Sequence, residues 1–317
     1  LVAPRKRTLE GMVLAWSPGT EGPIEGEVII PPLLANSDEF EAWLPQVDGR
    51  IVGISLAEPT CREDQSWLDH ATPESFQAMN AARNEARQAF GMSTRAMGPG
   101  APERIAAAGA IAVLTGRWSA GWGVDKIFGS PTDAIPGLHL SCEDYGLVAR
   151  MAERGQSPRI RLDAQAEFVG DVPSFNVVGT IPGTELPNEY VVLSAHLDSW
   201  DGASGATDNG TGTLMMLEAM RIIKAAYPNP RRTIVVGHWA GEEQGLIGST
   251  AFAADNPEII DGLQAAFNQD NGTWRIDYIR MQGFTGAGAH FARWFSVMPN
   301  QITDHIELDV PGMPESG

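Results

Sequence analysis

The sequence predicts an α/β fold: a mostly parallel sheet covered by helices, with a second, inserted domain in the N-terminal half. Three observations predict it. From about residue 156 onward, short apolar runs alternate with helix-length stretches, the pattern of strand–helix–strand units. Residues 190–195 are apolar almost throughout, as a strand buried on both faces is. Hydrophobic residues are 43% of the 317 and charged residues 20%, so a sizeable core can be buried.

Taken in order, residues 1–21 are expected to lead into the catalytic domain. Residues 22–155 read as one insert, a β-rich α+β unit with strands over 26–30 and 50–56 and helices over 73–90, 102–108 and 141–154. The last helix starts with Ser141 followed by Asp144, a capping-box-like pair, and ends at Gly155 as a C-cap would. Residues 156–317 then form the catalytic domain. Its strand over 175–181 closes at Pro182-Gly183, and 190–195 is the next strand. A helix over 213–227 carries Met216, Met220, Ile223 and Tyr227 on one stripe and stops before Pro228. A strand over 233–240, a helix over 246–254 and a strand over 263–268 continue the alternation.

Charge and cysteine content narrow the function. Lys plus Arg is 22 and Asp plus Glu is 40, a net charge of −18 that repels polyanions and argues against nucleic acid or an anionic membrane. No run of about 18 apolar residues predicts a membrane span. Cys61 and Cys142 are the only cysteines. They fit neither a disulfide scaffold nor a cysteine zinc site, and leave open one bridge or two unpaired thiols.

In parallel sheets, ligands bind at the carboxyl ends of the strands. The 190–195 strand runs into His196-Leu197-Asp198, the 233–240 strand into Gly241-Glu242-Glu243, and the 263–268 strand toward Asp270. Asp208 sits in a glycine-bounded loop, Gly205 to Gly210, before the next helix. Singly, these are a packing histidine, a solvated acidic pair and a turn. Together, four carboxylates and an imidazole in one place would repel one another without a cation. The donor set suits Zn²⁺, and less specifically Mn²⁺ or Co²⁺. Asp198, two residues after His196, is expected to accept the second ring N–H and fix the metal-binding tautomer. Of the adjacent glutamates, one can bind metal while the other serves as general base.

The runs His196-Leu197-Asp198-Ser199-Trp200-Asp201, Gly205-Ala206-Thr207-Asp208-Asn209-Gly210-Thr211-Gly212 and Trp239-Ala240-Gly241-Glu242-Glu243-Gln244-Gly245 stand in that order. They resemble the co-catalytic di-zinc aminopeptidases of metallopeptidase clan MH, a group that includes leucyl aminopeptidases. The first run is most similar to the plasma glutamate carboxypeptidase branch. The resemblance covers about 174–271 and weakens from Gly272 onward. It implies His196 and Asp270 as ligands of a first zinc, Asp208 as the bridging carboxylate and Glu243 as a ligand of a second. Glu242 would be the general base toward the attacking water, and a cis peptide would follow Asp208. The insert resembles a protease-associated (PA) domain, whose role would be to restrict substrate size or simply to stabilise. The family's last ligand, a His in a His-Thr motif, has no counterpart before Gly317, so this chain is expected to be poorly active.

The function so implied is a zinc exopeptidase acting on peptides, an aminopeptidase in the first instance with carboxypeptidase action left open, in a secreted or periplasmic setting. The sequence itself shows no signal peptide. The rivals are a single-zinc glutaminyl-cyclase-like acyltransferase and a non-catalytic binding homologue. Trp200 is expected either to line the substrate pocket or to pack. His70, His139, His290 and His305 lack ligand context, and His238 inside its strand is expected to pack. Asn209-Gly210-Thr211 and Asn271-Gly272-Thr273 are formal glycosylation sequons, but beside the proposed site a glycan would obstruct the chemistry, so they are read as catalytic-loop residues.

Overall fold

The computed structural model describes residues 1–118, 121–124, 126–270 and 272–308. The chain divides into two compact units, Leu1–Asp171 with Trp200–Ala203, and Val172–Ser199 with Ser204–Gly317.

In the first unit, six strands run in the spatial order β1-β5-β4-β3-β2-β6. They are β1 (Gly11–Val13), β2 (Ile24–Ile29), β3 (Ile51–Gly53), β4 (Ala112–Thr115), β5 (Gly137–Leu140) and β6 (Arg159–Leu162). Strands β2 to β5 pair in parallel, with helices crossing from β2 to β3 and from β3 to β4 and a long connection from β4 to β5, whereas β1 and β6 close the two edges antiparallel. Residues 1–21, expected to lead into the catalytic domain, thus supply an edge strand of this sheet.

The helices are α1 (Ser37–Trp43), α2 (Asp64–His70), α3 (Pro73–Met97), α4 (Ala101–Ala107) and α5 (Cys142–Glu153). Strand residues point alternately to two cores. Val28, Ile51 and Leu114 pack with Tyr145 and Val148 of α5. Val52 and Val113 pack with Phe40, Trp43 and Ile105 on the other face. Ser141 caps α5 by accepting the Asp144 N–H, but the Asp144 side chain does not reach back to it. That carboxylate is taken by Arg7 and by the Glu10 N–H, both at 2.7 Å. Cys61 and Cys142 form a disulfide across 81 residues, which settles the alternative that the sequence leaves open.

The second unit has a sheet in the order β10-β8-β9-β7, built from β7 (Val177–Ile181), β8 (Leu186–His196), β9 (Arg232–Trp239) and β10 (Leu263–Asn268). Strand β8 runs parallel to both β9 and β10, and β7 lies antiparallel on β9. Helix α6 (Thr211–Ala226) covers one face, with Met216, Ala219, Met220 and Ile223 against Leu193, Ala195 and Val236. Helices α7 (Ile247–Asp255) and α8 (Pro257–Asp261) cover the other, with Phe252 and Ile259 against Val192, Val235 and Trp239. This is the expected mixed α/β architecture.

Beyond the sheet lie α9 (Ala287–Phe295) and the two-residue pair β11 (Tyr278–Ile279) and β12 (Glu307–Leu308). Register decides what comes next: Ser194 stands opposite Asn268 and His196 opposite Trp239, so three parallel strands end in line. No helix among the described residues is long and apolar enough to cross a membrane.

Candidate metal centre

His196 is the last residue of β8 and is 2% exposed. Its Nδ1–H donates to the Asp198 backbone carbonyl at 3.0 Å, since a carbonyl can only accept. That bond fixes the tautomer and turns Nε2 toward the acidic groups. Nε2 lies 3.0 Å from Asp208 Oδ1, 3.2 Å from Asp270 Oδ1 and 3.8 Å from Glu242 Oε2. Two sets of side chains thereby come within metal-holding distance, His196 with Glu242 and Asp270, and His196 with Asp208 and Glu243. All the proposed ligands and the proposed base are brought together by three strand ends and one loop.

The contact expected for Asp198 is corrected: its backbone takes the imidazole N–H, and its carboxylate stands 3.7 Å from Nδ1. The carboxylate instead accepts the N–H groups of Glu242 at 3.0 Å and Glu243 at 3.2 Å. The reason is geometric. A residue two places after His196 has its own carbonyl nearer the ring than its side chain, which is free to reach the neighbouring strand's turn. Asn176 pins the same turn, accepting from Ala240 N–H at 3.0 Å and donating to the Gly248 carbonyl at 2.8 Å. Gly241 adopts φ +66° there, a backbone that L side chains rarely take.

Asp208 is held in the loop that begins at Gly205, and the Asp208–Asn209 peptide is cis, as the resemblance implies. The Asn209 side chain is buried and bonded at both ends, its amide donating to the Gln269 carbonyl at 2.8 Å and its oxygen accepting the Gly212 N–H at 3.1 Å. Thr213 donates to the His196 carbonyl at 2.9 Å, tying α6 to the end of β8. Reasoning from the sequence missed Asn176 and Thr213 as supports, and placed Asn209 in the catalytic loop without the contacts it makes. Of the second sequon, Asn271 lies outside the described residues.

Charge bears out how closely these groups lie. Burial by itself lowers the His196 pKa, but the hydrogen bond and charge of Asp270, with the charges of Glu242 and Asp208, outweigh it and hold the ring at about 9. Burial raises the Glu242 carboxyl, against the pull of His196 and with the repulsion of Asp270, Asp198 and Asp208. The remaining histidines stay apart from the cluster. His238 is buried on β9, with no hydrogen-bond partner for either nitrogen among the described residues, and burial lowers its pKa. His139 Nδ1 lies 2.9 Å from Thr115 Oγ1. His290 meets Arg293 and the Trp294 ring. Neither His290 nor His305 enters a metal-type group among the described residues, nor does His70. Trp200 groups with the first unit, where its ring packs on Phe128 and Trp16 at centroid distances of 5.0 and 6.4 Å.

An imidazole and four carboxylates at the carboxyl edge of a parallel sheet define an α/β protein of metal-ligating type. Residues 176–310 match the model of Peptidase family M28, and the relatives that follow support the co-catalytic zinc aminopeptidase and glutamate carboxypeptidase-like group. It is 30% identical over 285 residues to carboxypeptidase Q of Xenopus laevis, covering 86% of this chain and 53% of that protein. Against human carboxypeptidase Q it is 33% identical over 196 residues, 57% of this chain and 42% of the relative. The chain thus spans about half or less of these curated relatives.

A peptidase M28 precursor from Shewanella amazonensis shares the fold with a TM-score of 0.69 at 21% identity, over 99% of this chain and 66% of that one. A zinc aminopeptidase from Bacillus subtilis does so with a TM-score of 0.60 at 20% identity, over 96% and 64%.

Proposed function

We propose that this chain carries the metal centre of a zinc-dependent exopeptidase that hydrolyses terminal peptide bonds. The observation that carries the reading is the convergence of His196 with Asp208, Asp270, Glu242 and Glu243 at one sheet edge. The donor chemistry fits the ion: one imidazole nitrogen presented by a fixed tautomer, surrounded by carboxylates that repel one another when nothing cationic lies between them. His196 has a single nitrogen to offer, because Nδ1 is engaged, whereas Asp208 has two oxygens. By the family resemblance, His196 and Asp270 would hold one ion and Glu243 a second, with Asp208 shared between them.

Bound zinc supplies Lewis acidity toward the scissile carbonyl and toward the attacking water. The protein's part is proton movement. Glu242, partly buried and raised in pKa, accepts the proton of the attacking water at a carboxylate oxygen and delivers it to the departing amine. Asp198 fixes where Glu242 stands by holding the backbone N–H groups of both glutamates.

The relatives named carboxypeptidase Q and the structural neighbour named zinc aminopeptidase support exopeptidase action without choosing the terminus. We assign residues 22–155 to a protease-associated-type domain that restricts substrate size. The Cys61–Cys142 disulfide belongs in an oxidising compartment and supports a secreted or periplasmic protein.

Zinc per chain and turnover of short peptides, free or blocked at each end, test the proposal together with Glu242→Gln. The variant should retain its zinc and lose about 10²- to 10⁴-fold in kcat. Loss of zinc along with activity would make Glu242 a ligand instead. A parent that takes up no zinc on reconstitution would point to a non-catalytic binding homologue.

A further inference from the structure

We infer that Asn209 and Thr211 are positioning residues that set the spacing between Asp208 and Asp270. The inference rests on the metal-centre reading above. The two side chains come from one loop and reach two points of another segment, on either side of Asp270. The Asn209 amide donates to the Gln269 carbonyl at 2.8 Å, and the Thr211 hydroxyl lies 2.7 Å from the Gly272 carbonyl. These links cross 60 and 61 residues of chain, so they are tertiary contacts and not features of a local turn.

The loop is held at its own end as well. The Asn209 oxygen accepts the Gly212 N–H at 3.1 Å, and the single Thr211 hydroxyl proton is shared between the Gly272 carbonyl at 2.7 Å and the Thr207 carbonyl at 2.9 Å. A Cβ on residue 212 would fall 2.3 Å from Asn209 Oδ1 and 2.5 Å from the Gln269 carbonyl, so only glycine allows α6 to start this close to the end of β10.

Asp208 and Asp270 both approach His196 Nε2, at 3.0 and 3.2 Å, and like charges so placed push apart. A clamp that does not depend on the ion keeps them at ligand spacing before it binds. The residue types follow from the partners. Both targets are carbonyl oxygens, so the clamp must donate, which an amide and a hydroxyl can do and an ionised carboxylate cannot. The same geometry decides the sequon Asn209-Gly210-Thr211. Asn209 is 2% exposed with both ends of its amide in use, and the threonine is the second arm of the clamp, so the folded chain presents no glycan acceptor here.

The test uses the whole chain with Thr211→Val, Thr211→Ser and Asn209→Ala. Zinc affinity is read by competition with a chromophoric chelator, beside thermal unfolding of the metal-free proteins and kcat and KM on a peptide substrate. Thr211→Val and Asn209→Ala should bind zinc about 10- to 100-fold more weakly and lose kcat with little change in KM, and Thr211→Ser should behave as the parent. Should Asn209→Ala fail to fold, Thr211→Val, which keeps shape and charge, decides alone. Zinc bound by the parent and held as tightly by both variants would overturn the inference and leave the metal centre standing. A parent without zinc would overturn the metal centre and the clamp together.

Discussion

His196 enters the site with its proton chemistry already arranged: the Asp198 carbonyl claims Nδ1, and the carboxylates around Nε2 hold the ring pKa at about 9. Zinc uptake near neutral pH must therefore displace a proton from this ring. For the metal-free protein the sign follows from linkage. The folded value lies above the 6.5 of a free imidazole, so the charged ring stabilises fully below pH 6.5, and that contribution is lost as pH rises through about 9. Thermal unfolding of the metal-free protein should show a midpoint falling across this window, and zinc-loaded protein should lack the trend. Asp198 offers a second prediction. Asp198→Ala leaves two backbone N–H groups without their acceptor and frees the Glu242-Glu243 turn. Its kcat should fall by about 10- to 100-fold with zinc content largely kept, as measured by kinetics beside elemental analysis.

Helix α6 shows how much of an element can be read ahead and what escapes. Of the stripe Met216, Met220, Ile223 and Tyr227, the first three pack on Leu193, Ala195 and Val236, whereas Tyr227 lies just past the helix end and is exposed. Met216→Ala should cost about 2–5 kcal/mol, seen as a lower midpoint in denaturant. The helix starts at Thr211, two residues before the expected 213, where Gly212 meets Gln269 in a contact between segments far apart in sequence. Helix α9 was missed although Ala287, Phe291, Trp294 and Phe295 stand at helical spacing, because its Ala-Gly-Ala start carries no side-chain cap to mark it. In the first unit, the disulfide joins the segment before α2 to the first residue of α5. Closing a loop of that length is worth about 4.5 kcal/mol in the chain-entropy account, so reduction should lower the unfolding temperature measurably. The sequence left this pairing open because two cysteines allow it without requiring it.

Over the whole molecule, the convergence of the proposed ligands was more legible than the contacts that support it. Each proposed ligand stands within a few residues of a strand end, and strands buried on both faces announce themselves as apolar runs, so His196, Glu243 and Asp270 could be placed by topology alone. What Asp198 and Asn209 do depends on which of several donors and acceptors the fold brings near, and spacing along the chain holds no such information. The same limit applies to Trp200. The chain of the second unit leaves it after Ser199, contributes Trp200–Ala203 to the first unit, and returns at Ser204. There the Asp201 carbonyl accepts the Ile127 N–H at 3.0 Å, and the Trp200 ring packs between aromatic neighbours. The chain therefore crosses the boundary between the two units three times, so no single cut separates their sequences, and excising residues 1–171 would leave Trp200 without Phe128 and Trp16. Anyone transplanting one unit into another scaffold has to carry Trp200–Ala203 with the first or redesign that loop.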